Sequence, residues 1–357
     1  MAALTVGVVG LGYGRAHVVG FQEAGCRVVA VCQRDTGAAK AVAERYGVPG
    51  VYSCWEDLIA DARPNVVVIA TPPHLHETIA LAAFDVGAHV VCEKPLAMSL
   101  AEGRAMLDAA ARAKRVAMTG FNWRFIPGMT RFNGLVRERV LGRVLHVSAR
   151  WFGARWADET AAPTWRMDRA VAGHGAMGDM GVHLIDLIRW NFGEFRRVVA
   201  HAGVAHPSRT IPGGGRPADA EDFATVLGEL ESGAQVTLAA SRAARGANDH
   251  AIEAYGAAGA LTYLVDRDAP RWWTGRVAAT TSSGALTPIA IDAPDVTGDP
   301  MEVIGRVTIA PLARRLVEAV ERGVPATPSL EDGVRSQAVL DAVLASLGSR
   351  TWVDVAP

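Results

Sequence analysis

Lysine is nearly missing from this chain of 357 residues: Lys40, Lys94 and Lys114 are three among 36 lysines and arginines together. A protein that takes arginine as its generic cation has little use for lysine as filler. Lysine is also the cation whose pKa burial can lower far enough for acid–base work, whereas arginine stays charged. Cysteine is scarce as well. Cys26, Cys32, Cys54 and Cys92 form no Cys-x-x-Cys pair, and three of them sit in or beside apolar stretches, so buried free thiols in a reducing, cytoplasmic setting are expected. Charge of one sign is lacking too: the net charge is -1 and no long basic run occurs. Nucleic acid and anionic membrane therefore have no electrostatic support as partners. The nearest basic cluster, Arg112, Lys114 and Arg115, closes an expected helix, where cations suit the dipole. No uncharged apolar run reaches membrane-spanning length, and Thr5–Val9 reads as a strand rather than a signal peptide.

What is present is a soluble-protein balance, 50% hydrophobic and 20% charged, over a length that suggests two domains. Up to residue 121, apolar β-branched runs alternate with amphipathic segments of helix length. Leu4–Gly10, Arg27–Cys32, Val66–Ala70, His89–Cys92 and Val116–Gly120 are expected strands; Tyr13–Ala24, Thr36–Tyr46, His74–Val86 and Ser99–Ala113 are expected helices. Near-continuous apolar strands separated by helices imply an α/β, doubly wound parallel sheet covered on both faces. Ser53–Glu56 and Ser99–Glu102 carry the capping-box pattern.

The first strand runs into Gly10-Leu11-Gly12-Tyr13-Gly14-Arg15. Glycines at a strand–helix turn let the backbone approach a pyrophosphate seated on the helix N-terminus. The third glycine comes one residue early, with Arg15 next to it and able to reach a phosphate. After the second strand stands Gln33-Arg34, where an acidic residue would mark NAD; an uncharged residue followed by arginine suits the 2′-phosphate of NADP. Asp35 keeps NAD open. Thr71-Pro72-Pro73-His74-Leu75-His76 makes a rigid turn at another strand end, near any bound dinucleotide, with one histidine expected at the helix start and the other in solvent. Glu93-Lys94-Pro95 follows Ala88–Cys92 at the strand ends where open α/β sheets bind ligands.

From residue 122 to 357 the pattern changes. Arg143–Phe152, Val198–Ala205, Phe223–Leu230, Gln235–Ser241 and Ala251–Ala254 are strand-like without a helix after each, so an α+β domain with a mainly antiparallel sheet is expected. Pro207–Pro217 reads as a loop, and Pro311–Arg322 and Leu330–Ser346 as closing helices. A glycine-dense approach at Gly173-His174-Gly175 leads to a helix with Asp179, His183 and Asp186 at i, i+4 and i+7, on one face. A general base oriented by a carboxylate explains them; so does a capping aspartate with a satisfied core histidine. A metal site lacks further ligands at recognisable spacing.

Taken together, these segments resemble the Gfo/Idh/MocA oxidoreductase family. The resemblance also includes Gly120–Phe125, Gly178–Asp186, the Tyr255–Gly259 hairpin and Asp332-Gly333, and spans essentially the whole chain. It implies a Rossmann domain followed by a large open sheet that pairs subunits into a homodimer or homotetramer. It also implies an NAD(P)-dependent dehydrogenase or reductase acting on a sugar, polyol or related compound. Its motifs assign catalysis to Lys94, Asp179 and His183: His183 takes the hydroxyl proton, Lys94 hydrogen-bonds the same oxygen, and Asp179 orients both. A cis Lys94–Pro95 peptide is implied as well. Gly10, Gly12, Tyr13, Gly14, Arg15, Gln33, Arg34, Thr71, Pro72, Pro73, His76, Glu93, Lys94 and Arg124 are the expected cofactor contacts. Trp123, Arg124, Trp156, Trp165, Arg166 and His174 are candidates for the substrate pocket, with packing an equal alternative for the tryptophans. A tightly held, recycled dinucleotide (aldose–aldose exchange or oxidative glycoside cleavage) and a non-catalytic dinucleotide sensor are the competing readings.

Overall fold

Strands that are apolar at every position must be covered on both faces, and the first unit builds its sheet between helices for that reason. The computed structural model describes residues 3–211, 215–282 and 284–357. In chain order the first segment runs β1 (Thr5–Val9), α1 (Gly14–Glu23), β2 (Arg27–Cys32), α2 (Thr36–Tyr46), β3 (Gly50–Tyr52), α3 (Trp55–Asp57), β4 (Val66–Ile69), α4 (His76–Asp85), β5 (His89–Cys92), α5 (Leu100–Ala113) and β6 (Ala117–Thr119). The sheet is parallel in the order β3-β2-β1-β4-β5-β6. Strand order reverses between β1 and β4, the switch point where such sheets open a crevice at their carboxyl ends. The short strand β3 was not anticipated. Of the two expected capping boxes, Ser99 caps α5 by accepting from Glu102 N, while Ser53 does not cap: α3 starts from Cys54 without a side-chain cap.

The second segment contributes α6 (Pro127–Arg137), β7 (Val144–Phe152), α7 (Arg169–Ala172), α8 (Val182–Phe192), β8 (Phe195–Gly203), β9 (Phe223–Leu230), β10 (Gln235–Ser241), β11 (Asp249–Gly256), β12 (Ala260–Asp266), β13 (Arg276–Thr280) and β14 (Thr287–Ile289). Then follow α9 (Pro300–Ile304), α10 (Ala310–Arg322), α11 (Leu330–Ser349) and β15 (Val353–Asp354). The nine-stranded sheet is antiparallel except where β10 meets β7 in parallel, so the α+β expectation holds with four more strands, β12 to β15, than the sequence pattern showed. Alternation along β7, β9 and β10 leaves one face covered and the other, with Phe223, Leu227 and Tyr255, open. The β11–β12 turn is the expected Tyr255–Gly259 hairpin. A Cβ at Gly256 would lie 2.1 Å from Leu141 O, which requires glycine there. Among the described residues no helix is long and apolar enough to cross a membrane.

The sequence pattern divides the chain once, at residues 121/122. One compact unit ends at Phe125 but takes in Pro294–Val334 as well; the other is Ile126–Ala293 with Arg335–Pro357. The reason is packing on α1. Leu312, Ala313 and Leu316 of α10 are fully buried, and Gly305, in the π-turn Gly305–Ile309, lies so close that an added Cβ would be 2.8 Å from Ala16 O and from Val19 Cβ. Burying each leucine stabilises the unit by about 1.5–3 kcal/mol. At Gly20 the fit is tighter still, with Ile309 Cγ2 only 2.5 Å from where a Cβ would stand. Gly20→Ala should therefore overpack this contact and destabilise the protein by roughly 1–3 kcal/mol in urea unfolding; an unchanged midpoint would contradict the docking of 294–334 on α1.

Candidate active site

In the first unit the expected cofactor residues gather at the carboxyl ends of β1, β2, β4 and β5. Gly10 has φ +90°, and a Cβ there would fall 2.4 Å from Ala70 O; at Gly12 a Cβ would meet nothing within 4 Å. Gly14, one residue earlier than the usual third glycine, packs against Val8 and Ala70, so it still serves close helix–strand packing. No side chain caps the start of α1, and Thr71 Oγ1, at the end of β4, is buried without a partner in the protein. A glycine-lined, uncapped helix start with an orphaned hydroxyl beside it fits a dinucleotide's pyrophosphate. Tyr13 is placed by a 2.9 Å hydrogen bond from Asn122 Nδ2 to its hydroxyl. Gln33 turns inward, its Oε1 accepting from Leu11 N at 3.0 Å, while Arg34 is exposed. Asp35 is the N-cap of α2, accepting from Ala38 N. Arg15 is half-buried and its charge acts on Tyr46 and Asp299.

The Lys94–Pro95 peptide is cis, and Lys94 is half-buried. Several of its neighbours have roles the sequence did not suggest. Glu93 is 5% exposed, and its carboxylate binds His17 Nε2 at 2.7 Å and accepts from Lys94 N at 3.2 Å. His76 does begin α4 and His74 is exposed, as expected, but His76 is fully buried. Its ring nitrogens lie 2.9 Å from Thr71 O and 3.1 Å from Pro95 O and Leu96 O, so it ties two strand ends together. Burial holds its pKa below the ordinary histidine value against those carbonyls. Pro73 is buried at the head of a 3₁₀ turn, leaving Pro72 half-exposed. Arg124 is 3% exposed and forks onto Asp332 at 3.0 and 3.4 Å. Asp332 in turn accepts from Ser329 N at the start of α11. Trp123 is buried. Burial and the ion pair give both residues a part in the framework.

In the second unit, Asp179 lies in a π-turn, Met177–Gly181, and α8 starts only at Val182. The wider i→i+5 turn breaks the i, i+4 spacing expected of Asp179 and His183, so the uninterrupted stripe is not formed. Glycine permits the turn: a Cβ at Gly181 would lie 2.7 Å from Met177 Sδ. Asp179 keeps 26% of its side chain exposed and faces Arg166 Nε at 3.7 Å; Arg166 stacks over Trp165, 4.2 Å from the ring centroid. His183 and Asp186 are buried. Trp156 is buried under the Arg242 guanidinium, a packing role. His174 is also buried, with neither ring nitrogen partnered, and burial lowers its pKa against the opposing charges of Glu221 and Asp341.

The sequence reading missed what holds the π-turn. Glu221, 3% exposed, accepts from Gly175 N at 2.8 Å and Met177 N at 3.1 Å through Oε1, and from Ala176 N at 2.7 Å through its carbonyl. Arg242 donates to the Glu221 and Arg166 carbonyls at 2.9 and 3.1 Å and pairs with Asp222. The acidic pair Glu221-Asp222 at the mouth of a strand was the available signal. His17, one turn into α1, offered none beyond being a histidine on an apolar face.

Both segments of the chain have known relatives. Residues 4–121 match the family model described as oxidoreductase family, NAD-binding Rossmann fold, and residues 129–262 match the Gfo/Idh/MocA C-terminal domain. The chain is 29% identical to levoglucosan dehydrogenase of Pseudarthrobacter phenanthrenivorans over 99% of both chains. A solved levoglucosan dehydrogenase in complex with NADH and levoglucosan superposes with a TM-score of 0.89 at 28% identity, covering 100% of each chain. A D-xylose 1-dehydrogenase (NADP(+)) of Haloferax volcanii is 34% identical over 55% of this chain and 58% of its own.

Beneath the π-turn and α8, burial and the Arg267 charge hold His250 down to about 3. The unfolded chain takes up that proton near pH 6.5 and the folded one only near 3, so stability is full above the upper value and falls as pH drops between them. Replacing His250 by Gln, which can still reach the Tyr263 hydroxyl, should shrink the loss of unfolding free energy between pH 7 and pH 5 by roughly 2 kcal/mol. Parallel pH dependences for the two proteins in urea titrations would contradict a neutral, buried His250.

Proposed function

The chain belongs to the Gfo/Idh/MocA oxidoreductases, with their NAD-binding Rossmann domain, and on that premise we propose that it is a dehydrogenase moving a hydride between nicotinamide and a hydroxyl- or carbonyl-bearing carbon of a sugar, polyol or sugar derivative. The observation that carries the reading is the pair Asp179 and His183, set in and just beyond a π-turn whose amides are clamped by Glu221. Such turns recur at functional sites because they re-aim side chains out of helical register.

Gly10, Gly12, Gly14 and Arg15 would hold the pyrophosphate, and Thr71 and Pro72 would border it. When bound, the nicotinamide supplies a hydride acceptor or donor at its C4. His183 takes the substrate's hydroxyl proton during oxidation and returns it during reduction, the general-base role its imidazole suits. Lys94 hydrogen-bonds the reacting oxygen and offsets the negative charge that develops there. Asp179, kept near Arg166, orients a neighbouring hydroxyl, and Trp165 offers a ring face to the sugar. The dinucleotide preference belongs to the same proposal. Asp35 is committed as the α2 cap and Arg34 is exposed beside it, which favours the 2′-phosphate of NADP.

Calorimetric titration of the cofactor-stripped protein should show tighter binding of NADPH than of NADH, and Arg34→Ala should erase the difference. Tighter NADH binding would return the adenosine contact to Asp35. In a sugar and polyol screen, Lys94→Ala and His183→Ala should each lower turnover by about 10²–10⁴-fold with cofactor binding retained. Turnover near that of the parent in either variant would sink the roles assigned to them.

A further inference from the structure

On the covered face of β7, Trp151 stacks on His183: the ring centroids are 5.5 Å apart and the planes 29° from parallel. Across the sheet, register sets Trp151 opposite His250, whose ring meets the indole edge-on at 4.6 Å. His250 Nε2 lies 3.1 Å from the Tyr263 hydroxyl on β12. All four side chains are buried, Trp151 at 5% and His183 at 4% exposure. We propose that Trp151 positions the His183 imidazole and stabilises the positive charge it gains on taking the substrate proton.

The inference rests on His183 being the base. In oxidation the substrate O–H bond breaks and an N–H bond forms on the imidazole, while the electron pair of the carbinol C–H leaves as hydride. The ring thereby gains one positive charge. An aromatic face attracts a cation within about 6 Å, most strongly where water is excluded. The neutral ring has only stacking with the indole, so the attraction grows as charge develops. A contact of that kind lowers a barrier instead of merely tightening binding. On the other side of the indole, burial and the Arg267 charge keep His250 neutral, and burial raises the Tyr263 hydroxyl well above its ordinary value. Titratable groups on the His183 segment are Asp179 and Asp186, with Arg166 opposite Asp179; Trp151 is the neighbour that offers a π face.

The full-length chain tests this with Trp151→Phe and Trp151→Leu. Removing the π face makes the imidazolium harder to form. In Trp151→Leu the acid limb of kcat/KM for oxidation should move down by about one pH unit, and the plateau should fall roughly 3- to 30-fold. Trp151→Phe should lie between Leu and the parent in both. An acid limb that stays put in both variants, or equal losses in both, marks a packing role only and overturns the proposal. A second measurement needs no turnover. Protonated imidazole quenches indole emission, so fluorescence should step down as His183 is protonated, and the step should vanish in Trp151→Phe and in His183→Asn. The step in a protein that oxidises no sugar or polyol would retire the dehydrogenase reading and keep the pair. Its absence from an active enzyme overturns the pair and leaves the dehydrogenase standing.

Discussion

The hydrogen bond between His17 and Glu93 joins the two pieces of the first unit that the chemistry needs most. It is 2.7 Å long and closed to water, with side-chain exposures of 0% and 6%. His17 rides on α1, whose start follows the glycine turn; Glu93 ends β5 and directly precedes Lys94. The second carboxylate oxygen takes the Lys94 amide, so one buried group fixes the helix and the lysine backbone together. The neighbouring strand has to make room: a Cβ at Gly120 would stand 2.6 Å from Glu93 Oε1. On the far flank His76 does the complementary job, bridging Thr71 O to the carbonyls of Pro95 and Leu96. A buried acceptor stripped of its donor costs about 1–3 kcal/mol. The Lys94 backbone is thus fixed by the residue before it.

The second unit solves the same problem with Glu221. Three successive amides at the head of a π-turn would be costly if buried without acceptors. One residue from the approach to β9 accepts all three, two on its carboxylate and one on its carbonyl. The price in sequence is Gly175, where a Cβ would come within 1.9 Å of Glu221 O. This explains the glycines before Asp179 better than flexibility does. They permit close approach of a clamp, and the clamp sets a turn that takes Asp179 out of the α-helical register of His183.

Hydrophobic periodicity carries information about neighbours along the chain, which is why β2, β5, α2 and the antiparallel strands β9 and β10 were legible to the residue, and the other expected elements of the parallel sheet to within two. It says nothing about which distant surface an amphipathic helix will cover. The return of α9 and α10 to α1 therefore could not be read, since Leu312 and Leu316 look the same whichever core receives them. Site motifs stand out in the sequence where a residue type has few other uses, as with Lys94, one of three lysines, and Gly10, whose φ of +90° needs glycine. They carry less where a polar residue serves structure equally well. His76, Glu93 and Arg124, expected at a ligand, also satisfy buried backbone or carboxylate groups. The π-turn was invisible because no single residue type signals it; it arises from Gly178 and Gly181 acting with an acceptor more than forty positions away in sequence.

The scarcity of lysine follows from the same construction. Arg124, Arg189 and Arg242 are 3%, 6% and 2% exposed, and each spends its planar fork on a carboxylate, Arg189 and Arg242 reaching a further acceptor as well. Arg189 grips Glu194 at 2.6 and 2.8 Å and reaches Ser336 at 3.0 Å; Arg242 spans two carbonyls and Asp222. A lysine offers a strongly hydrated point charge and could not hold such a set without leaving an acceptor unmet. Internal ion pairing thus selects arginine. The lysines that remain are Lys40 and Lys114, both exposed, and Lys94, half-buried at the end of a strand. Under the proposed function, Lys94 is the place where a compact ammonium is of more use than a fork, since there it would meet the reacting oxygen.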